Sequence, residues 1–598
     1  MKRKRLLLLP VLLLITALLL QGCALPFLPG RDPLSPTVPQ TTQATEPTAP
    51  PTEAASYLPY TEYERPMEGI LPECRFSEME YTRPDTEALR NGFAEVQKLV
   101  EDGASLDAVL SRFDEVYEDY LFFTTMDTLA YIHYSLDLND SYYDTEYNWC
   151  EEQSPLVSQA QEKCYVAMAQ SPLRGELERE YFSEGFFDFY DENQIYTKDR
   201  VVELMQQESE LEAQYMALQS DQTIEWEGQE MLVDDLFASD LDYFSLMEAY
   251  RIYYEKYNAQ AADVFIRLIR VRKEIAAELD YDSYADFAYE YDYRRDYTPA
   301  QVAQYTEDIA RELAPLYYTA AMSTYSRQMD AEETMELFRK TVYAFGGEIA
   351  TAYEYMTAYE LYDITESSSK MPGSYMTYLN SYEMPFLYVS PTDTIDDLLT
   401  VTHEFGHFVD GYVNCGATDS IDCNEIFSQG LEFLTLGRAD LSDSERDDLT
   451  VSKLADSIMV FLSQASYAEF EQRAYELPDE ELTAERLNAL FLECSEKFGM
   501  SYGAFDDLIA MGWIDVQHFF IAPFYVISYC VSNDAALQIY QYETETGDGL
   551  TLYRKLMSLS ADNTILNLLD EAEMESPFAE GRMAELADFY QEQLLNHE

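Results

Sequence analysis

One stretch of five residues limits this chain more than any other: His403-Glu404-Phe405-Gly406-His407. The chain has only five histidines, and two of them stand four residues apart with a glutamate directly after the first. Ile395, Leu398, Leu399, Val401, Phe405, Phe408 and Val409 surround them at helical spacing, which predicts a buried helix. Pro391 precedes its start, Thr394 to Asp397 makes a capping-box pattern, and Gly411 stands where it can close the helix. Residues four apart share one helical face, so both imidazoles reach a single metal ion. Glu404 is turned about 100° around the axis from His403, which sets its carboxylate beside that ion. There it suits a general base acting on water activated by one bound zinc ion.

Zinc needs a third protein ligand. A metzincin would carry Gly at position 410 and His at position 413; Asp410 and Val413 stand there, so that class is excluded. The other common solution is a glutamate from a following helix. Asp422-Cys423-Asn424-Glu425-Ile426-Phe427-Ser428 begins like a capped helix, and Glu425 lies 18 residues after His407. Glu432, two turns further on the same face, is the alternative ligand. Downstream, Pro523 is expected to start a helix with Tyr525 and Tyr529 four apart on one face. A tyrosine hydroxyl or a histidine N–H can donate to the oxyanion that forms during peptide hydrolysis.

The three stretches "THEFGHF", "NEIFSQGLEF" and "HFFIAPFYVISY", in this order, resemble the catalytic signatures of the oligoendopeptidase F and thimet oligopeptidase family of zinc metallopeptidases. "RVRKEIAAELDYDSYADFAYEYDYRRDYTP" is similar to a helical segment of these enzymes, and "SSKMPGSYMTY" to their substrate-binding hairpin region. The likeness covers residues 200–595 and, more weakly, 60–200. It implies a mainly α, two-lobed zincin fold with a deep central channel and a small β-sheet near the active site. It implies an endopeptidase for short oligopeptides, with His403, His407 and Glu425 as metal ligands and Glu404 as base. His518 then contacts the substrate or its oxyanion, and Tyr525 and Tyr529 fall in the segment that does similar work. A thermolysin-like site shares the ligand types, but its expected Asp four residues after the glutamate ligand is Gln429 here. The reading from a different class is a lipid-anchored peptide-binding lipoprotein whose zinc site is silent.

Lys2 to Arg5 and the apolar run Leu6 to Leu20 form a signal sequence too short to span a bilayer comfortably. Leu20-Gln21-Gly22-Cys23 resembles a bacterial lipobox, which implies cleavage before Cys23 and lipidation of its thiol. The expected organisation is a signal peptide at 1–22, a Pro/Thr-rich tether at 23–58, a helical N-terminal lobe at 59–200 and a catalytic lobe at 201–598. The protein is then extracytoplasmic, touching the bacterial cell membrane only through lipidated Cys23; the alternative is ordinary secretion with full release. The formal charge is −74, which excludes nucleic acid as a partner on electrostatic grounds. Seven cysteines besides Cys23 leave at least one outside any pairing, and a Cys415–Cys423 bridge would close a nine-residue loop.

Further helices are expected at about 84–103, 150–170, 199–219, 241–257, 260–279, 299–326 and 331–358. A β-hairpin is expected around Glu227-Gly228, and strands between Gly373 and Ser390.

Overall fold

The computed structural model describes residues 69–595, apart from short stretches at 183–184, 188–189, 191–194, 220–221, 234–235, 237–240, 368, 417, 419, 502, 504 and 562. The signal segment, Cys23, the tether and His597 lie outside the described residues. Among the described residues no helix is long and apolar enough to cross a membrane.

The N-terminal part is three helices: α1 (Thr86–Glu101), α2 (Leu106–Leu136) and α3 (Ser141–Ala169). α2 shows no apolar stripe in the sequence because it is covered on several sides. Its first half packs in a separate core with Leu89, Phe93, Val157, Tyr165 and Phe187. Its second half joins the main core through Leu129, Tyr131 and Ile132. α4 (Asp199–Gln219) leads into the expected hairpin, β1 (Thr223–Trp226) paired antiparallel with β2 (Gln229–Leu232). The turn residues Glu227 and Gly228 both have positive φ, 49° and 81°, as a two-residue turn between twisted strands requires.

Where two helices were expected at 241–257 and 260–279, α5 (Tyr243–Glu278) runs unbroken. Asn258 does not end it, because its amide pairs reciprocally with Asn488 at 3.0 and 2.9 Å. The 299–326 helix is shorter than expected: α6 (Pro299–Leu313) gives way to a 3-10 turn over Ala314–Leu316 that holds Pro315. The 331–358 stretch divides into α7 (Ala331–Phe345) and α8 (Gly347–Ala358). The break falls at Gly346 and Gly347, with φ of 66° and 59°.

A three-stranded sheet follows, with β3 (Tyr362–Asp363), β4 (Ser374–Leu379) and β5 (Met384–Val389) in the order β3-β5-β4. β4 is antiparallel to β5 and β3 parallel to it. The hairpin turn is tied to α2: Thr125 Oγ1 accepts from the Ser381 N–H at 2.7 Å, and Asn380 donates to Thr124 at 2.9 Å.

Two helices, buried almost throughout, then cross: α9 (Asp396–Val413) and α10 (Ile421–Leu436). The start of α9 differs from the capping-box expectation. Asp397 accepts instead from the N–H groups of Thr392, at 2.9 and 3.0 Å, and of Thr394. Gly411 does not stop the helix; Asn414 does, folding its amide back onto Asp410 at 2.7 Å. α10 is capped by Ser420 rather than by Asp422. No disulfide joins Cys415 and Cys423. The remaining long helices are α11 (Asp443–Glu476), α12 (Ala484–Lys497), α13 (Ile527–Thr546), α14 (Gly549–Leu559), α15 (Ile565–Ala572) and α16 (Arg582–Leu595). Pro523 does not start α13. Phe524 turns the chain with φ of 64°, and regular helix begins only at Ile527.

α9 and α10 meet at Gly406. A Cβ there would lie 2.4 Å from the carbonyl oxygen of Phe427 and 2.6 Å from the Cα of Ser428. Both are backbone atoms of a packed helix and cannot step aside cheaply. Gly406→Ala is therefore expected to lower unfolding stability by about 2–3 kcal/mol. Gly437→Ala, where a Cβ meets nothing within 4 Å, is expected to stay within about 0.5 kcal/mol of the parent. Denaturant midpoints of the two variants check the contrast.

Candidate metal centre and its surroundings

The crossing of α9 and α10 gathers His403, His407 and Glu425. One ligand atom from each lies within 4.8 Å of the others, and all three residues are buried. His403 Nε2 and His407 Nε2 stand 3.5 and 3.8 Å from the same oxygen, Glu425 Oε2. Two imidazoles and a carboxylate converging at these spacings suit a tetrahedral ion with one position left open. This is the one such group found among the described residues.

The surrounding groups hold the ligands in place. Glu432 does not join the three: its Oε1 lies 2.8 Å from His403 Nδ1. That bond sets the tautomer that leaves Nε2 free for a metal. The other oxygen of Glu432 accepts from Lys453 Nζ at 2.6 Å. Burial alone would raise the Glu432 carboxyl, but Lys453 and His403 together hold it below its ordinary value. Glu425 is bonded on both oxygens, by Tyr525 to Oε1 at 2.8 Å and by Ser428 to Oε2 at 3.0 Å. Burial still pushes its carboxyl up, against His403, Tyr525 and Ser428. His407 is depressed well below an ordinary imidazole by burial and by His403.

Glu404 is 2 % exposed. Its Oε1 accepts from the Ser374 hydroxyl at 2.8 Å, which ties the first residue of β4 to α9. Burial raises its carboxyl to about 7, against the lowering effects of His403 and Ser374. A cation held by the three ligands would pull it back toward the ionised form.

His518, Tyr525 and Tyr529 form a second cluster beside the first. His518 sits in a short helix, Gln517–Ile521. Its ring centre lies 5.3 Å from that of Tyr525 and 5.7 Å from that of Tyr529. His518 Nε2 is 3.3 Å from the Tyr529 hydroxyl. Burial lowers the His518 pKa to about 4, so the imidazole is neutral near pH 7. Tyr525 precedes α13 rather than riding on it, and its hydroxyl engages Glu425. His133, which carried no readable signal, stacks between Tyr143 at 4.3 Å and Phe76 at 5.5 Å.

Sequence reasoning missed two members of this site and gave a third a different role. Ser374 and Lys453 have no motif of their own. Glu432 was visible as a glutamate two turns beyond Glu425, but its side chain faces the outer nitrogen of His403.

The family model for the peptidase M3 N-terminal domain matches residues 76–195, and that for peptidase family M3 matches residues 328–587. Together they take in more than half of the chain. The oligoendopeptidase F homolog of Lactococcus lactis subsp. lactis (strain IL1403) is 30 % identical over 220 residues, 34 % of this chain and 35 % of that protein. Oligopeptidase PepF of Bacillus subtilis (strain 168) is 24 % identical over 231 residues, 37 % of this chain and 34 % of its own. The chain thus matches about a third of the length of these curated relatives. Among solved structures, PZ peptidase A with an inhibitor superposes with a TM-score of 0.77 at 22 % identity, over 87 % of this chain and 99 % of that one. Oligoendopeptidase-F from Enterococcus faecium gives 0.57 at 16 %, over 85 % and 97 %. The fold is the mainly α peptidase fold of these structures, and the chain belongs to peptidase family M3.

Proposed function

We propose that this protein is a zinc-dependent endopeptidase that hydrolyses short oligopeptides, with His403, His407 and Glu425 holding one zinc ion and Glu404 as general base. The observation that carries the reading is the convergence of two imidazole Nε2 atoms on one Glu425 oxygen at 3.5 and 3.8 Å, with Glu404 beside them. Two histidines and a glutamate are the donor set of catalytic zinc sites that keep an open position. Zinc bound there supplies Lewis acidity, bringing the pKa of water to about 7 and polarising the scissile carbonyl.

The chain's own residues do the rest. Glu404 takes the proton from attacking water and carries it toward the leaving amine. Ser374 keeps that carboxylate turned toward the site through its 2.8 Å bond. His518, neutral at working pH, can donate an N–H to the developing oxyanion, with Tyr529 at its Nε2. Tyr525 holds Glu425 by the oxygen that points away from the imidazoles. The family's peptide substrates and the acidic surface agree with oligopeptides as substrates and with no role for nucleic acid. The lipid anchor at Cys23 and an extracytoplasmic location rest on the N-terminal sequence. Palmitate-analogue labelling that leaves Cys23 unmarked would remove the anchor and leave ordinary secretion.

Glu404→Gln should keep fold and bound metal while turnover of a quenched-fluorescent oligopeptide falls roughly 10²–10⁴-fold. Parent turnover that survives a chelator would sink the metal reading. Affinity without turnover in the parent would favour the peptide-binding lipoprotein.

Glu432→Gln is expected to weaken metal affinity about 10–100-fold in chelator competition, because His403 loses the carboxylate that fixes its tautomer.

His518→Gln carries a pH signature. The folded chain refuses a proton that an unfolded histidine accepts near pH 6.5, so parent stability drops as pH falls from 6.5 toward 4. The variant lacks this share of acid sensitivity, and its melting temperature should fall less than the parent's between pH 7 and pH 5. The same change should lower kcat roughly 10²–10³-fold with metal retained.

A further inference from the structure

The segment that carries His518, Tyr525 and Tyr529 is irregular. A five-residue helix ends at Ile521, Ala522 bends the chain with φ −148° and ψ 70°, Pro523 follows, and Phe524 sits at φ 64°. Its backbone meets only part of its own hydrogen-bonding need, as in the Ala522 N–H to the His518 carbonyl and the Tyr525 N–H to the Ala522 carbonyl, so the buried groups left over must find partners elsewhere. They find them on side chains from far away in the sequence. Arg272 donates to the carbonyls of Phe519 and Phe520. The Tyr293 hydroxyl donates to the carbonyl of Pro523 at 2.9 Å. Glu471 accepts from the Phe524 N–H at 2.9 Å.

Arg295 makes the densest set. One guanidinium nitrogen donates to the Phe524 carbonyl at 2.9 Å. The other reaches the Ser528 hydroxyl at 2.8 Å and the Tyr525 carbonyl at 3.4 Å. Its Nε stands 3.5 Å from Asp422 Oδ2, both side chains being buried. The guanidinium carbon lies 4.5 and 4.4 Å from the ring centres of Tyr289 and Tyr293, a stacked seat that suits a planar cation. Asp422 is three residues before Glu425 on α10. Arg295 therefore grips both halves of one hydrogen bond from behind: the turn that presents Tyr525, and the helix that presents Glu425.

We propose that Arg295 is a positioning residue for this active site, fixing Tyr525 against Glu425 by forking onto the 524–525 turn while pairing with Asp422. This rests on the peptidase reading above and adds a residue that touches neither metal nor peptide. Lysine cannot replace it, because a point charge does not span two carbonyls and a hydroxyl in one plane.

Removing Arg295 alone strands Asp422 as a buried unpaired charge, so the test pairs Arg295→Met with Asp422→Asn and sets Arg295→Lys beside it. Thermal unfolding and metal content are measured first. For both variants kcat on a quenched-fluorescent oligopeptide should fall at least tenfold, with KM within threefold and metal at the parent's stoichiometry. With 3-fluorotyrosine at position 525, the parent should show one narrow fluorine resonance, and the variants a shifted or broadened one. A folded double variant with parental kcat would overturn the proposal. If the double variant fails to fold, a folded Arg295→Lys decides: parental kcat overturns the proposal, a tenfold loss upholds it. A parent without chelator-sensitive hydrolysis defeats the peptidase reading instead. The fluorine spectra then decide this proposal alone: identical resonances in parent and Arg295→Lys defeat it.

Discussion

The metal centre depends on how closely two buried helices approach at Gly406. Gly406 lies between His403 and His407 on α9, and the atoms it touches belong to Phe427 and Ser428, just beyond Glu425 on α10. A close helix–helix approach that leaves no room for a side chain thus falls in the middle of the ligand set. A bulkier residue would widen the crossing and pull the Glu425 oxygen off the line of the two imidazoles. Neighbouring contacts hold the same geometry. The Tyr553 hydroxyl occupies the Phe427 carbonyl at 3.0 Å, and Ser532 reaches the Asp422 carbonyl at 2.7 Å. Both lock α10 to elements on its far side. Ligand spacing here is a packing property before it is a chemical one.

Burial sets the electrostatics. Glu404, Glu425 and Glu432 crowd around two histidines in a largely buried region. Burial raises the carboxyls of Glu404 and Glu425 and holds His407 well below an ordinary imidazole. Only Glu432 is pulled below its ordinary value, because Lys453 stands beside it. A dication placed among these groups would draw the Glu404 and Glu425 carboxyls toward the ionised form and keep His407 neutral. Ion binding and folding stability are then linked, since the ligand cluster is costly without the charge it is built around.

Much of this was legible in the sequence because it rests on local periodicity. The spacing of His403 and His407 implies one helical face, and Glu425 is the acidic residue near the start of the next helix. Glu227-Gly228 marks the hairpin through residues that tolerate positive φ. Helix continuity was harder. Asn258 looks like a break until Asn488 pairs with it, and Gly411 looks like a stop until Asn414 takes that part. Pro523 resembles a helix start, but the chain uses it within an irregular turn held by Tyr293 and Arg295. Ser374, Lys453 and Arg295 were illegible for one shared reason. Each acts on a partner at least 21 residues away, and no short pattern records such a pairing.

The distribution of basic residues makes the same point physically. The chain has 38 Lys and Arg against 112 Asp and Glu, so cations are scarce on a surface that has every electrostatic reason to attract them. Yet Arg272, Lys370, Lys453 and Arg582 are almost wholly buried, as is the side chain of Arg295. Each is desolvated at a cost that its surface alternative would not carry. Most also fan donors across more than one acceptor atom: Lys370 onto Asp363, Thr365 and Val389 beside the sheet, and Arg582 onto Asp534 with both prongs. Arg272 and Arg295 do so along the one stretch of irregular backbone that faces the metal ligands. Regular helices supply their own hydrogen bonds, but the turn after Ile521 supplies only part of them, and the carbonyls of Phe519, Phe520, Pro523 and Phe524 take side-chain donors. Two interior arginines are therefore placed where the backbone departs from regularity, and that is where the side chains nearest the ligands must be held.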